Sequence, residues 1–220
     1  MYKNSGLLGF CSAQLALFAL AVFTAASAGA DGVSKATNAL YERLSSVQSL
    51  SADFEQKVHD HAGWLVAEQL GQLQLKRPAM LRWHCREPQE QLVVGDGAKI
   101  WLYDPDLEQV SIYKSAAMLE GPMTMLAQSK EQLAEQFAIA EEECELQACF
   151  LLVPRSTEKN AAFSSLRFDF DDSGLKRIEM QDRMRQRTET VLSDRAFNGA
   201  MDETLFNFVV PEGVDVVVND

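Results

Sequence analysis

From Ser51 to the C-terminus, the chain is built from short segments in which apolar and polar residues alternate. In the segment EQLGQLQLK, Leu73 and Leu75 fall on one side of an extended strand, and the glutamines beside them fall on the other. Turn residues separate these segments, and Asp96-Gly97 between two alternating runs is a strong hairpin signal. The pattern predicts an antiparallel sheet whose strands follow one another along the chain.

Two regions of the chain have helical rather than alternating spacing. Apolar residues at steps of three and four before the first strand predict an amphipathic helix, with Asp31 as its cap. These apolar positions are Val33, Ala36, Leu40, Leu44, Val47 and Leu50. Pro122 can open a second helix through MTMLAQ, and KEQLAEQF (130–137) predicts a further helical turn or two. We therefore expect an α+β fold, in which one long antiparallel sheet curls into an open barrel and helices fill its mouth.

The first 28 residues have the composition of an export signal. Lys3 and an apolar run are followed by Ala26-Ser27-Ala28, which resembles a cleavage site, with Ala28-Gly29-Ala30 as an alternative. The run is shorter than the ~20 residues that a membrane span needs, which argues against a retained anchor. The bulky residue before Cys11 argues against a lipidation signal. We predict that residues 1–28 are removed and that residues 29–220 form one exported domain.

The charge of the chain limits its partners. The net charge is −12, and loss of Lys3 with the leader makes it −13. The net charge of the chain as a whole causes repulsion from nucleic acid and from anionic membrane surfaces. Binding to lipid would then depend on an apolar site rather than on a general basic surface.

Few residues suggest catalysis or metal binding. His59 and His61 fall in a polar hairpin turn, where solvent exposure explains them better than a metal does. His84 and Cys85 are adjacent on a predicted strand and point to opposite faces. The acidic run DFDD (169–172) lacks the spacing of a calcium loop, and the chain has no hydrolase elbow, phosphate loop or CxxC pair. We predict a protein that is not an enzyme and binds no metal or cofactor.

Three cysteines follow the predicted cleavage site. Cys144 and Cys149 stand at the ends of two predicted strands joined by a tight turn, close enough to pair in an oxidising compartment. We predict a disulfide there, the alternative being two reduced, buried thiols. Cys85 is the odd cysteine, and we expect it to act as a small core residue.

Soft apolar residues crowd the helical insertion. Met118, Met123 and Met125 lie beside Leu119 and Leu126, and methionine adapts to ligands of irregular shape. Trp83, Trp101 and Tyr103 add aromatic bulk on the preceding strands. These residues either fill the core beneath the insertion or line an apolar site covered by a movable lid.

Three motifs resemble those of the outer-membrane lipoprotein carrier (LolA) family. They are the K-R-P-x-x-x-x-W-x-x-x-x-P pattern from Lys76, the block VxDGxxxWxYxPxxEQ from Val94 and the closing PxGV from Pro211. The resemblance runs from SADFEQKV to PEGVDVV. It implies a single half-open, strongly curved antiparallel β-barrel, with one N-terminal and one or two central helices forming a lid over an apolar cavity.

The resemblance also implies a function in the periplasm. Members of the family shield the acyl chains of lipoproteins, which they accept from an inner-membrane ABC transporter (LolCDE) and pass to an outer-membrane receptor (LolB). We expect a monomer with acylated lipoproteins as cargo and no nucleic-acid partner. The alternative function is that of a carrier or sensor of another lipid, such as a fatty acid or glycolipid, with the same fold.

The family's arginine falls on Arg77, where the resemblance implies a latch that hydrogen-bonds lid carbonyls in the closed, empty form. Pro78 would limit strand pairing beside it. Where the family often has an aromatic residue, this chain has Leu81, which is still apolar. We expect ten residues to contact lipid: Leu73, Leu75, Met80, Leu81, Trp83, Trp101, Met118, Met123, Met125 and Leu126.

Overall fold

The computed structural model describes residues 34–114, 125, 129–156 and 163–219. These residues form two α-helices, a 3-10 helix (Glu203–Phe206) and twelve strands. The helices are α1 (Lys35–Ser45) and α2 (Lys130–Gln136). The strands are β1 (Ser49–His59), β2 (Leu65–Lys76), β3 (Met80–Glu87), β4 (Gln91–Asp96), β5 (Lys99–Asp104), β6 (Gln109–Lys114), β7 (Phe137–Glu142), β8 (Ala148–Pro154), β9 (Ser165–Asp171), β10 (Gly174–Gln181), β11 (Arg187–Phe197) and β12 (Asp215–Asn219). Neither helix in this described part is long and apolar enough to cross a membrane.

All twelve strands belong to one open, curved sheet in the order β12-β6-β5-β4-β3-β2-β1-β11-β10-β9-β8-β7. Consecutive strands pair antiparallel on both sides of β1, as the alternating pattern predicts. The pairing of β1 with β11 joins the two runs. The expectation of a wholly antiparallel sheet is wrong at one edge, because β12 returns along the chain to pair parallel with β6.

Helix α1 is shorter than predicted at both ends. Ser34 is the N-cap, and its side chain accepts a hydrogen bond from the backbone N–H of Thr37 at 3.0 Å. The helix ends at Ser45, and Leu50 already belongs to β1, where it pairs with Leu75. The helical spacing continues to Leu50 because residues of both the helix and the strand face one core, not because the helix reaches it.

Helix α2 confirms the predicted KEQLAEQF helix. Ser129 and Gln132 form a capping box, in which each side chain accepts a hydrogen bond from the other's backbone N–H. The expected MTMLAQ helix lies outside the described residues except for Met125, which is buried in the core. The leader 1–28 also lies outside them.

The core lies between α1 and the inner face of the sheet. Alternate residues of β1, β2 and β3 point inward, and Leu73 and Leu75 are buried as their alternation predicts. The largest buried side chains of this core are Phe150, Phe168, Leu40, Leu44, Leu50, Leu73, Leu133, Leu152, Leu166 and Leu175. Helix α1 contacts α2 and the edge strand β7, and the guanidinium of Arg43 lies 5.9 Å and 5.8 Å from the ring centroids of Phe150 in β8 and Phe170 in β9.

The K-R-P segment is not the edge of a strand. β2 ends at Lys76 and β3 begins at Met80, so Arg77 and Pro78 occupy the turn between two paired strands. The expectation that Pro78 limits pairing at a sheet edge is therefore wrong, because a turn residue has no ladder partner to lose.

Candidate functional site

The inner face of β2 and β3 forms an apolar wall. The register places Leu73 opposite Trp83 and Leu75 opposite Leu81, so all four side chains share this face. Leu73 and Leu75 are buried, whereas Leu81 and Trp83 are half-buried at the margin of the core. This margin is the part of the wall that a bound apolar ligand can reach.

Trp83 is held by a stack that depends on one glycine. Its ring lies 3.8 Å from the ring of Phe54, centroid to centroid, with 25° between the planes. Gly71 lies opposite Phe54 in the β1–β2 ladder. A Cβ at Gly71 would stand 2.1 Å from the carbonyl oxygen of His84 and 2.5 Å from Cζ of Phe54. Glycine is therefore required for Phe54 to cross β2 and reach Trp83.

Further half-buried apolar side chains surround the same core. They come from α1, from the β7 edge and from the strands beyond β1: Ala39, Tyr41, Ile139, Met180 and Phe197. Such side chains can change rotamer at lower cost than fully buried ones, because part of their surface already faces open space. The margin of the core is thus the adaptable part of the site.

Arg77 binds the C-terminal end of α1. Its Nε donates to the carbonyl of Val47 at 2.8 Å, and its Nη2 donates to the carbonyl of Leu44 at 3.0 Å. Its backbone N–H donates to the carbonyl of Gln48 at 2.9 Å. The last carbonyls of a helix have no partner within the helix and carry partial negative charge, so a guanidinium is well suited to them. The turn after β2 therefore holds the helix against the sheet.

Asn198 binds the same segment from the other side. Its Oδ1 accepts from the backbone N–H of Gln48 at 2.7 Å and of Ser49 at 3.3 Å, and its Nδ2 donates to the carbonyl of Ser46 at 2.9 Å. Asn198 adopts a left-handed backbone (φ 58°), which asparagine tolerates. Asn198 is not among the residues predicted from the sequence, although Asn-Gly after a strand is a turn signal that could have marked it.

Two of the predicted lipid-contacting residues lie on the opposite face of the sheet. Arg82 pairs with Val94 and Val94 pairs with Trp101, and Met80 is two residues before Arg82, so these four side chains lie on one face of the sheet. Trp83 pairs with Val93 and lies on the other face. Trp101 lies 6.3 Å from the ring of Phe208, which belongs to the segment before β12. The structure therefore does not bring Met80 or Trp101 together with Leu73 and Trp83. Met118, Met123 and Leu126 lie outside the described residues.

The C-terminal segment covers this outer face near β3 and β4. Phe206 of the 3-10 helix is buried, as is Val94. Arg82 donates from Nη1 to the carbonyl of Leu205 at 3.3 Å. The C-terminal segment therefore buries part of the outer face of the sheet.

Beyond β1, charged residues stabilise the outer face. Asp169 has no exposed surface, and its carboxylate accepts from Nε of Arg167 at 2.8 Å and from Nε of Arg177 at 2.7 Å. Arg195 binds both carboxylate oxygens of Asp171, at 3.0 and 2.6 Å. This hydrogen bonding by Arg195 holds the pKa of the Asp171 carboxyl below its usual value. The network fixes β9, β10 and β11 relative to one another.

The cysteines take two different states. Cys144 and Cys149 are joined by a disulfide in the β7–β8 turn, with their Sγ atoms 2.11 Å apart. Cys85 is reduced and buried on the inner face, and burial raises the pKa of its thiol. A buried, protonated thiol is a poor nucleophile, so Cys85 contributes packing rather than chemistry.

Two surface depressions among the described residues lie away from the apolar wall. One, of about 230 Å³, separates Arg43 of α1 from the β9–β10 turn at Ser173. The other, of about 380 Å³, lies beside Cys144 and Arg177 on the outer face. Neither is lined by the residues predicted to bind lipid.

Comparison with known proteins identifies the family. The family model for the outer membrane lipoprotein carrier protein LolA matches residues 45–209. The chain belongs to the LolA family. An outer-membrane lipoprotein carrier protein of Pseudomonas aeruginosa is 38% identical over 202 residues, which cover 91% of this chain and 96% of the relative. One of Chromohalobacter salexigens is 37% identical and covers 79% of this chain and 82% of the relative.

A solved structure shows the same fold at much lower similarity. An uncharacterized conserved protein from Thermus thermophilus aligns with a TM-score of 0.52 and 14% identity, covering 83% of this chain and 97% of that one. The LolA family is a family of carriers rather than enzymes, and membership makes this chain a LolA-type lipoprotein carrier. The matched residues include the apolar wall, Arg77 and Asn198, which therefore lie within the carrier fold.

Proposed function

We propose that this LolA-family protein shuttles lipoproteins across the periplasm as a soluble monomer. It accepts them from an inner-membrane ABC transporter of the LolCDE type and delivers them to an outer-membrane receptor of the LolB type. Residues 1–28 direct export and are removed, which leaves residues 29–220 as the carrier. The observation that carries the proposal is the hold of Arg77 on the end of α1, in the turn that directly follows the strand of Leu73 and Leu75.

In this proposal, α1 acts as part of a lid that Arg77 keeps closed when the site is empty. A hydrogen bond to a charged group contributes about 1.5–3 kcal/mol, so the two side-chain bonds of Arg77 contribute at most roughly 6 kcal/mol. Burial of one methylene yields about 0.8 kcal/mol, so about eight methylenes offset the latch. A long acyl chain has more than that, so cargo opens the lid and its departure lets the lid close.

The acyl chains contact the margin of the core in this proposal. Leu81 and Trp83 supply the half-buried surface, and Leu73, Leu75 and Met125 are buried members of the core that they border. Met118, Met123 and Leu126, which lie outside the described residues, are proposed as further contacts on the sequence alone. Met80 and Trp101 are left out, because the register turns them to the other face.

A release assay tests the function. Spheroplasts carrying a radiolabelled lipoprotein are incubated with the protein purified from the periplasm, and soluble lipoprotein is measured in the supernatant. We expect a soluble complex of carrier and lipoprotein, and displacement of a bound apolar dye by the same lipoprotein. No soluble lipoprotein, together with a different co-purifying lipid in mass spectrometry, would assign the protein to another lipid instead.

The Arg77→Leu variant tests the latch in the same assay. We expect it to take up lipoprotein as the wild type does, and to pass less of it to receptor-containing outer membranes, because closure no longer favours release. Arg86→Leu is the matched control, since Arg86 is an exposed arginine of β3. Transfer by Arg77→Leu at the wild-type rate would remove Arg77 from the mechanism.

A further inference from the structure

Two hairpin tips lie side by side at one end of the central strands. The β1–β2 turn spans residues 60–64, and the β10–β11 turn spans residues 182–186. β1 and β11 are neighbours in the sheet, and their register pairs His59 with Arg187, the residues that border the two turns. The two turns therefore project from the same end of the sheet, and we call residues 59–66 and 182–187 the hairpin end.

Both turns have the same hydrogen-bonded construction. The N–H of Asp60 donates to the carbonyl of Trp64, and the N–H of Asp182 donates to the carbonyl of Gln186, each at 2.9 Å. Each aspartate also accepts backbone N–H groups of its own turn through Oδ1: Asp60 from Ala62 and Trp64, and Asp182 from Gln186. Internal bonding of this kind lowers the cost of moving a turn out of bulk water, since fewer polar groups lose a partner.

Each tip presents a large apolar side chain to solvent. Trp64 is 73% exposed and Met184 is 78% exposed, and Leu65 and Val66 follow Trp64 with about half of their surfaces exposed. Tryptophan is favoured at the boundary between lipid headgroups and acyl chains, and methionine is flexible enough to enter it. Three consecutive exposed apolar residues at a strand end have no role in the core described above.

The hairpin end carries a small positive charge in a strongly acidic protein. Its three arginines, Arg183, Arg185 and Arg187, outnumber its two aspartates, Asp60 and Asp182, by one. Arg183 and Arg185 are exposed, and Arg187 lies 3.6 Å from Glu179 farther along the sheet. The chain as a whole carries a net charge of −12, so an anionic surface repels most of the protein and attracts this end. Charge alone would thus orient the molecule.

We propose that the hairpin end docks on bilayers that contain anionic phospholipid. Trp64 and Met184 enter the headgroup region, and the arginines contact lipid phosphates. The small number of groups makes the attachment weak, reversible and sensitive to salt. β1 spans 11 residues and runs from the end near Arg77 to the hairpin end, so the two ends lie roughly 35 Å apart along the strand. Docking at the hairpin end therefore leaves the α1 end free. The docking does not depend on which lipid the protein carries.

Vesicle binding tests the docking. The protein purified from the periplasm is mixed with vesicles of phosphatidylcholine alone, or of phosphatidylcholine with phosphatidylglycerol, and the sedimented fraction is measured at low and high salt. We expect binding to the anionic vesicles at low salt, a blue shift of tryptophan emission and loss of both at high salt. Trp64→Ser should weaken binding about tenfold and abolish the shift, and Arg185→Ser should weaken it about fivefold.

Two variants with equally exposed side chains elsewhere are the controls. Leu107→Ser removes an apolar side chain that is 69% exposed in the β5–β6 turn, and Lys99→Ser removes an exposed cation at the start of β5. Both should bind as the wild type does. Uptake of lipid into the apolar site would be independent of Trp64 and Arg185, so it is distinguishable from docking.

Three results would overturn the proposal. Equal binding to both kinds of vesicle would exclude phosphate recognition, and equal losses in the control variants would exclude a specific surface. Binding to soluble polyglutamate as tight as to vesicles, and unchanged by Trp64→Ser, would assign the hairpin end to an acidic protein partner instead. None of these results bears on lipoprotein release, which the spheroplast assay measures separately.

Discussion

Replacing Arg77 by leucine should loosen α1 without unfolding the sheet. The change removes the side-chain hydrogen bonds to Leu44 and Val47, at 3.0 and 2.8 Å, and keeps the backbone bond to Gln48. Arg77 is only half-buried, so water compensates for part of the loss, and we expect about 2 kcal/mol for the two bonds together. Since 1.4 kcal/mol is a factor of ten, the opening equilibrium of the helix should shift about 30-fold.

Amide hydrogen exchange measures this shift directly. In Arg77→Leu, the amides of residues 39–46, which α1 and its cap protect, should exchange about 30-fold faster than in the wild type. The amides of Phe54 and Leu73, in the central strands, should be unchanged because they exchange only through larger openings. Arg86→Leu should leave both sets at wild-type rates.

Two results would contradict this reasoning. If the α1 amides exchanged at the wild-type rate while the variant remained folded, the two hydrogen bonds would not hold the helix closed. If the amides of α1 and of the central strands accelerated by the same factor, Arg77 would contribute to global stability and not to a local latch. Apolar dye binding should follow the exchange data, since an open helix exposes Leu81 and Trp83.

Two further predictions concern the stability of the sheet. Gly71→Ala should destabilise the protein by about 3 kcal/mol or more, because its Cβ would collide with Phe54, whereas Gly199→Ala, with open space around it, should not change the melting temperature. Asp171→Asn should lower the free energy of unfolding at neutral pH, because the lowered pKa of Asp171 makes its ionised form a source of stability. That contribution is present above the ordinary aspartate pKa and is lost as the pH falls. The free energies of unfolding of wild type and variant, measured by urea titration, should therefore converge in acid. A constant difference across that range would show that Arg195 does not act through the Asp171 charge.

Most of the strands could be predicted because their signals are local. Alternation at Leu73 and Leu75 identified the inner face of β2, and Asp96-Gly97 marked a hairpin that the structure contains. The helix predicted at 130–137 forms over Lys130–Gln136, and its capping box of Ser129 and Gln132 is also local in the sequence. In each case, the residues that specify the element are within one turn or one strand of it.

The outer face could not be predicted for the opposite reason. Trp101 looks like a site residue because it is aromatic and follows the DG hairpin, and only the register shows that it faces away from Trp83. Phe208 lies near Trp101, and β12 pairs with β6, although more than 100 residues of chain separate the members of each pair. The parallel pairing of β12 with β6 leaves no pattern in the sequence, because an exposed edge strand of valines reads the same in either direction.

The position of the latch follows from topology more than from the K-R-P motif. In an antiparallel sheet, the start of β1 lies beside the ends of both of its neighbours, β2 and β11. The residues just after those strands must therefore meet the segment that leads from α1 into β1, and they are Arg77 and Asn198. The motif identified Arg77, and the pairing of β1 with β2 brings it to carbonyls about 30 residues earlier in the chain. Asn198 reaches the same segment only through the pairing of β1 with β11, which joins segments about 150 residues apart. This strand order thus brings two residues to the end of the first helix. In the proposed function, an arginine at one of these positions makes the hold on α1 strong enough to keep the lid closed and weak enough for an acyl chain to break.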